Sequence, residues 1–163
     1  MKKFKTMMAM MLALVSMCVA FSSCSSDDDD NDGKSNATAD YVAGSYVSNL
    51  DMTVMTQTET YENATIKLEK VDDNTINVVL PAVGEGKMAL PSITVPNLKV
   101  TGANGSYAFN VEGYKGSLEV NGATKEFTIT MSGAFVNGKL TLTYSLQYGT
   151  MPMPMLGSFV ANK

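Results

Sequence analysis

The chain has 163 residues, 45% of them hydrophobic, with no histidine, no tryptophan and only lysine among its basic residues. Without histidine it lacks the usual general base and metal ligand near neutral pH, and without arginine it lacks the usual bidentate clamp for phosphate and carboxylate, so most common routes to catalysis are closed. Sixteen acids against twelve lysines give a net charge of −4, a poor match for a nucleic-acid backbone, and nucleic acid is excluded as a partner.

Residues 1–21 open with Lys2, Lys3 and Lys5, continue as an apolar run interrupted at Ser16, and give way to small residues, the pattern of a secretory leader. The run is short for a spanning helix, which needs about 20 apolar residues. Loss of the leader leaves nine lysines against sixteen acids, a balance of −7. Cys18 lies inside the leader and Cys24 at its end, so no pair remains for a disulfide in the exported part.

Phe21-Ser22-Ser23-Cys24 resembles the lipobox of bacterial lipoproteins, in which a lipid is attached to the cysteine thiol and cleavage leaves that cysteine first. Ser22 and Ser23 fit the pattern, whereas Phe21 stands where an aliphatic residue is usual. The resemblance implies lipidation at Cys24 and a membrane as partner; simple cleavage with a free Cys24 thiol is the alternative. Each buried CH₂ of an acyl chain contributes about 0.8 kcal/mol, so several chains make a firm anchor.

Asp27, Asp28, Asp29 and Asp30 form a block of like charge that stays solvated and extended. Ser26 followed by those four aspartates, directly after a lipobox cysteine, is similar to the export signal of lipoproteins in certain gut-dwelling Gram-negative anaerobes. That similarity implies the outer face of the outer membrane in preference to its periplasmic leaflet. Small and polar residues at 33–39 continue the tether. The expected division is a signal peptide over 1–23, an acylated acidic tether over 24–39 and a folded domain over 40–163.

From Tyr41 onward the apolar pattern has period two and no stretch has helical period, so an all-β domain is predicted. Tyr46, Leu50, Met52 and Val54 mark a first strand, and Ala64, Ile66 and Leu68 a second. A turn at residues 71–74 follows, because Asp and Asn bond their own backbone. Ile76, Val78 and Leu80 mark a third strand, stopped by Pro81. Pro91 and Pro96 bracket a short extended piece unsuited to a central strand.

After Asn104-Gly105 come Tyr107, Phe109 and Val111 on one face, with a corner expected at Gly113 and Gly116. Asn121-Gly122 and Asn137-Gly138 suit type I′ turns, which need positive φ at both central positions. Between and after them lie Phe127, Ile129 and Met131, then Leu140, Leu142, Tyr144, Leu146 and Tyr148. Residues 151–155, with two prolines, read as an edge or a bulged crossing, and residues 156–160 close the sheet. Eight to ten strands joined by short turns form a meander that folds as a sandwich or, preferably, closes as an up-and-down barrel, which also removes exposed edges.

Three stretches look like the calycin-like β-barrel family of bacterial lipoproteins: Ala43-Gly44-Ser45-Tyr46, the segment 88–97 (MALPSITVPN), and Gly138-Lys139-Leu140-Thr141-Leu142-Thr143 ahead of Tyr148-Gly149-Thr150-Met151-Pro152. The resemblance covers residues 40–163 and implies a small lipocalin-like barrel with no catalytic residues to carry over. Asp72-Asp73 is explained by its turn, and Glu112 and Glu119 are the carboxylates that a corner between them would bring together. The aspartate run lacks the spaced ligands and glycine of a calcium loop, and no metal or cofactor is expected. The expected function is non-enzymatic: a barrel that binds a small apolar ligand, with Phe109, Phe127, Met131 and Tyr144 as candidate lining. The alternative is a filled barrel that contacts glycan or protein through Thr, Asn and Ser on its outer face.

Overall fold

A computed structural model describes residues 37–86 and 89–163. The leader, Cys24, Ser26 and the aspartates at 27–30 therefore lie outside the described residues. A single-turn helix α1 (Thr38–Val42) leads into β1 (Gly44–Val54), β2 (Gln57–Asp72), β3 (Thr75–Leu80), β4 (Ile93–Lys99) and β5 (Thr101–Ala103). Then come β6 (Ser106–Val120), β7 (Ala123–Val136), β8 (Lys139–Tyr148) and β9 (Met155–Asn162). The strands are hydrogen-bonded in the order β4-β3-β2-β1-β9-β8-β7-β6-β5, every pair antiparallel.

The two ends of that order are consecutive in the chain. β4 pairs with β3, and after Val100 the same extended segment turns to pair as β5 with β6, Thr101 opposite Ala108. A nearly closed up-and-down barrel results. β4 remains an edge along its other side, consistent with Pro96, which has no N–H to donate and sits in a register shift between the Ile76 and Val78 pairings.

Alternate residues of each strand enter one core: Tyr46, Leu50, Ile66, Ile76, Ile129 and Leu142 are fully buried there, and among the described residues no polar or charged side chain is. Strand direction separates two ends. At one, α1 caps the barrel with Ala39 and Val42, both wholly buried. Tyr46 Oη donates to the Val42 carbonyl at 2.6 Å, and the Ala39 amide bonds the Asp73 carbonyl at 3.0 Å. Lys70 Nζ meets Asp40 at 2.8 Å and Asp73 at 3.2 Å, exposed pairs that orient the helix more than they stabilise it. The other end, where β1–β2, β3–β4, β6–β7 and β8–β9 connect, is the mouth.

Several expectations need correcting. Residues Thr38–Val42 form a helix where no helical period is expected, because five residues make little more than one turn and periodicity could not flag it. The glycines at 113 and 116 do not form a corner. Gly113, at φ +58, makes a bulge within one 15-residue strand, and Gly116 lies beneath the Phe127 ring. β2 starts at Gln57, well before Ala64, because Met55 takes φ +57 in a tight turn that neither Asn nor Gly announces. Residues 151–154 form a loop, and β9 begins only past the second proline, at Met155.

Candidate functional site

Phe109, Phe127, Met131 and Tyr144 all point into the barrel and are 2%, 4%, 2% and 6% exposed. Three of them lie over glycines of the neighbouring strand. Phe109 faces Gly133, Phe127 faces Gly116 and Tyr144 faces Gly157 in the register, and a Cβ on any of these glycines would collide with the ring. Aromatic rings covering cross-strand glycines fill the space that the missing side chains leave. At these three places the interior is packed.

Open space lies at the mouth. β3 stops at Pro81 and pairs with β2 only from Lys67 onward, so the first half of β2 has no partner on that side. The chain at 81–85 turns back beside it, held by the Val83–Leu90 bridge, and leaves a groove of about 770 Å³ lined by residues 59, 61–65 and 81–85. Ala64, Pro81, Ala82 and Val83 supply apolar wall; Glu59, Glu62 and Glu85 supply carboxylates. A second depression, of about 470 Å³, has Phe127 in its lining with residues 115–117 of β6.

The register ties the groove to the interior. Glu59, Met52, Gly157, Tyr144, Met131 and Val111 are successive cross-strand partners from β2 round to β6, so they form one layer of the barrel. Tyr61 enters the layer below, opposite Leu50, and its hydroxyl donates to Glu59 Oε2 at 2.8 Å. Partial burial, reinforced by that carboxylate, raises the Tyr61 pKa. Burial first, and the neighbouring Tyr61 second, raise that of Tyr144 further. Both phenols are held neutral across the physiological range, as donors and acceptors of hydrogen bonds.

The other candidate carboxylates have structural roles. Asp72 accepts the Asn74 amide at 2.8 Å within its turn, and this bond, with those from Thr75, keeps its carboxyl below the usual range. Glu112 and Glu119 stand on the same strand, seven residues apart, hence about 20 Å. Carboxylates that flank a glycosidic bond lie within about 10 Å of each other, so the expected pairing across a corner does not form. Among the described residues, no group of three or more acidic or cysteine side chains is placed to hold a metal ion.

The sequence carries little sign of the groove residues. Thr58, Glu59 and Thr60 are polar on both faces of β2, so they gave no period-two apolar signal. The one available cue was Tyr61 set among them.

One meandering antiparallel sheet, rolled nearly shut around an apolar core, plugged at one end by a helix and grooved at the other, defines a small lipocalin-like barrel domain. The chain belongs to the calycin-like beta-barrel domain family, whose model matches residues 42–162. It is also similar in structure to a candidate outer membrane protein from Bacteroides fragilis, with a TM-score of 0.61 and 22% sequence identity. That likeness, which covers 78% of this chain and 53% of the other, is one of fold, and this chain spans about half of the other's length. No curated protein matches in sequence.

Proposed function

We propose that this protein is a non-enzymatic lipoprotein, anchored through Cys24 to the outer membrane of a Gram-negative bacterium and displayed on the cell surface. Its barrel binds a small, largely apolar ligand at the mouth. The observation that carries the binding reading is the groove of about 770 Å³ beside β2, at the end of the barrel opposite the helical plug. Ligand sites are typically concave, partly apolar and about 300–1,000 Å³ in volume, with a few polar groups that fix orientation. Anchoring rests on the lipobox-like residues 21–24, and surface display on Ser26 with the aspartates at 27–30.

A second reading has its own observation. On the outer face, Ser132, Thr143, Ser158, Asp51 and Thr60 are successive cross-strand partners over five strands, a nearly uncharged hydroxyl row suited to contact with glycan or protein. Native mass spectrometry of the protein purified without detergent separates the two. A reproducible added mass that is lost on denaturation supports the mouth as a ligand site. A clean apo mass, with no uptake of a neutral fluorescent apolar probe, refutes it and leaves the outer face.

A further inference from the structure

β6 runs from Ser106 to Val120, but β5 covers only Ser106 to Ala108 of it. Among the described residues, no strand pairs with Phe109 to Val120 on the side away from β7. A bulge between Val111 and Tyr114 interrupts that edge. Beyond it lies a regular stretch, Tyr114 to Val120, ended by the Asn121-Gly122 turn. An unpaired edge of this kind is a template for another strand.

The turn fixes which backbone groups the edge offers. Asn121 and Gly122, at φ +53 and +75, make a two-residue turn of the I′ kind, so Val120 and Ala123 exchange hydrogen bonds with each other. Alternation then directs the N–H and C=O of Leu118, Gly116 and Tyr114 to β7, and those of Glu119, Ser117 and Lys115 to the open side. The side chains of Lys115, Ser117 and Glu119 are exposed on the outer face, whereas Tyr114, Leu118 and Val120 are half-buried on the inner one. Lys115 and Glu119 thus flank Ser117 at equal spacing, on one edge and one face, with opposite charge. Glu119 accepts the Thr124 hydroxyl across its own hairpin. Among the described residues neither it nor Lys115 belongs to an ion pair; those formed are the pairs of Lys70 with Asp40 and Asp73.

These charges select a partner strand. In a two-fold antiparallel pairing centred on Ser117, each Lys115 stands opposite the second copy's Glu119, and all three open-side residues exchange backbone hydrogen bonds with their counterparts. On the inner face Tyr114 comes opposite the second copy's Val120 and Gly116 opposite its Leu118, so half-exposed apolar groups meet. Centring on Lys115 or Glu119 sets like charge against like. Centring on Gly116 or Leu118 leaves Lys115 and Glu119 apart.

We propose that the free edge of β6 is a homodimer interface, at which two copies of this chain join antiparallel through residues 114–120 about a two-fold axis at Ser117. The bulge on one side and the turn on the other confine the pairing to this stretch. The contact is isologous, so it closes at two copies and does not propagate. It is also small, which makes the dimer reversible and dependent on concentration. The proposal is independent of what occupies the mouth.

The test uses residues 35–163, a compact unit whose core closes on itself within 39–161. Sedimentation velocity is run as a concentration series from about 1 μM to about 1 mM, the range of weak association. A reversible monomer–dimer equilibrium is the expected result. Lys115→Glu and Glu119→Lys each set like charge against like twice in the dimer, and each is expected to weaken association about tenfold. Mixing the two variants in equal amounts brings back two unlike pairs, so a heterodimer of near wild-type affinity is expected. Both side chains are exposed, and thermal unfolding verifies that the fold is kept. A monomer across the whole series overturns the proposal. A dimer that either reversal leaves unchanged, or that mixing does not restore, overturns it too, because the contact then lies elsewhere on the molecule.

Discussion

Tyr46→Phe removes one oxygen atom from the plugged end of the barrel. That oxygen donates to the Val42 carbonyl at 2.6 Å, and both residues are fully buried. A neutral hydrogen bond contributes about 1 kcal/mol net, and stranding a buried carbonyl raises the cost of its loss to about 1–3 kcal/mol. The ring itself stays, edge-on to Phe135 at 6.3 Å between centroids, so no cavity of consequence opens. The expected loss at neutral pH is about 2 kcal/mol.

The same atom leaves a second signature at alkaline pH. Burial pushes the Tyr46 pKa up from 10.0 to about 12. The folded state thus holds the phenol neutral where the unfolded chain ionises it. This stabilisation is fully present below pH 10 and is lost as pH rises through 12, about 1.4 kcal/mol of it by pH 11 and about 2.7 kcal/mol in all. Phenylalanine has no proton to lose. Tyr144, also raised by burial, affects both proteins alike and cancels in the comparison. Urea unfolding of residues 35–163 at about pH 8 and about pH 11 should therefore show the gap between wild type and variant shrink by about 1.4 kcal/mol. A gap that is constant across pH, or a variant as stable as wild type at neutral pH, would refute the role given to this bond.

Three further outcomes follow from the packing and from the tether. Gly157→Ala places a methyl group against the Tyr144 ring, and overpacking of this kind costs about 1–3 kcal/mol; thermal unfolding reads it, and an unchanged midpoint would show that the ring yields freely. Phe109→Ala empties a filled part of the core and uncovers Gly133, at a cost of about 3–5 kcal/mol. Binding of a neutral apolar probe at the mouth should survive in the folded fraction, and its loss would instead place the ligand deep in the barrel. Replacing the aspartates at 27–30 with alanine should abolish protease accessibility on intact cells, and unchanged accessibility would remove the export role.

By itself, the sequence determined the class of fold and most strand centres. Leu140 to Tyr148 alternates without a break and is β8, and the two Asn-Gly turns at 121 and 137 sit where expected, both asparagines at positive φ. Such signals are local: a pleat of period two and a turn that only certain residues adopt without strain leave their mark within a few positions. Strand ends were harder to read, because residues 57–63 and 113–118 gain their pairing from a neighbouring strand and not from their own pattern.

Tertiary structure alone decided how the barrel is plugged and where it is open. α1 is too short to declare itself and is fixed by contacts from Tyr46 and Asp73, four and more than thirty residues away. The groove exists because β2 outruns β3, a mismatch in the lengths of two paired strands that neither strand encodes separately. Phe109, Phe127 and Tyr144 were legible as inward-facing rings, but that each would be spent covering a glycine on the next strand depends on register, which only the closed sheet sets.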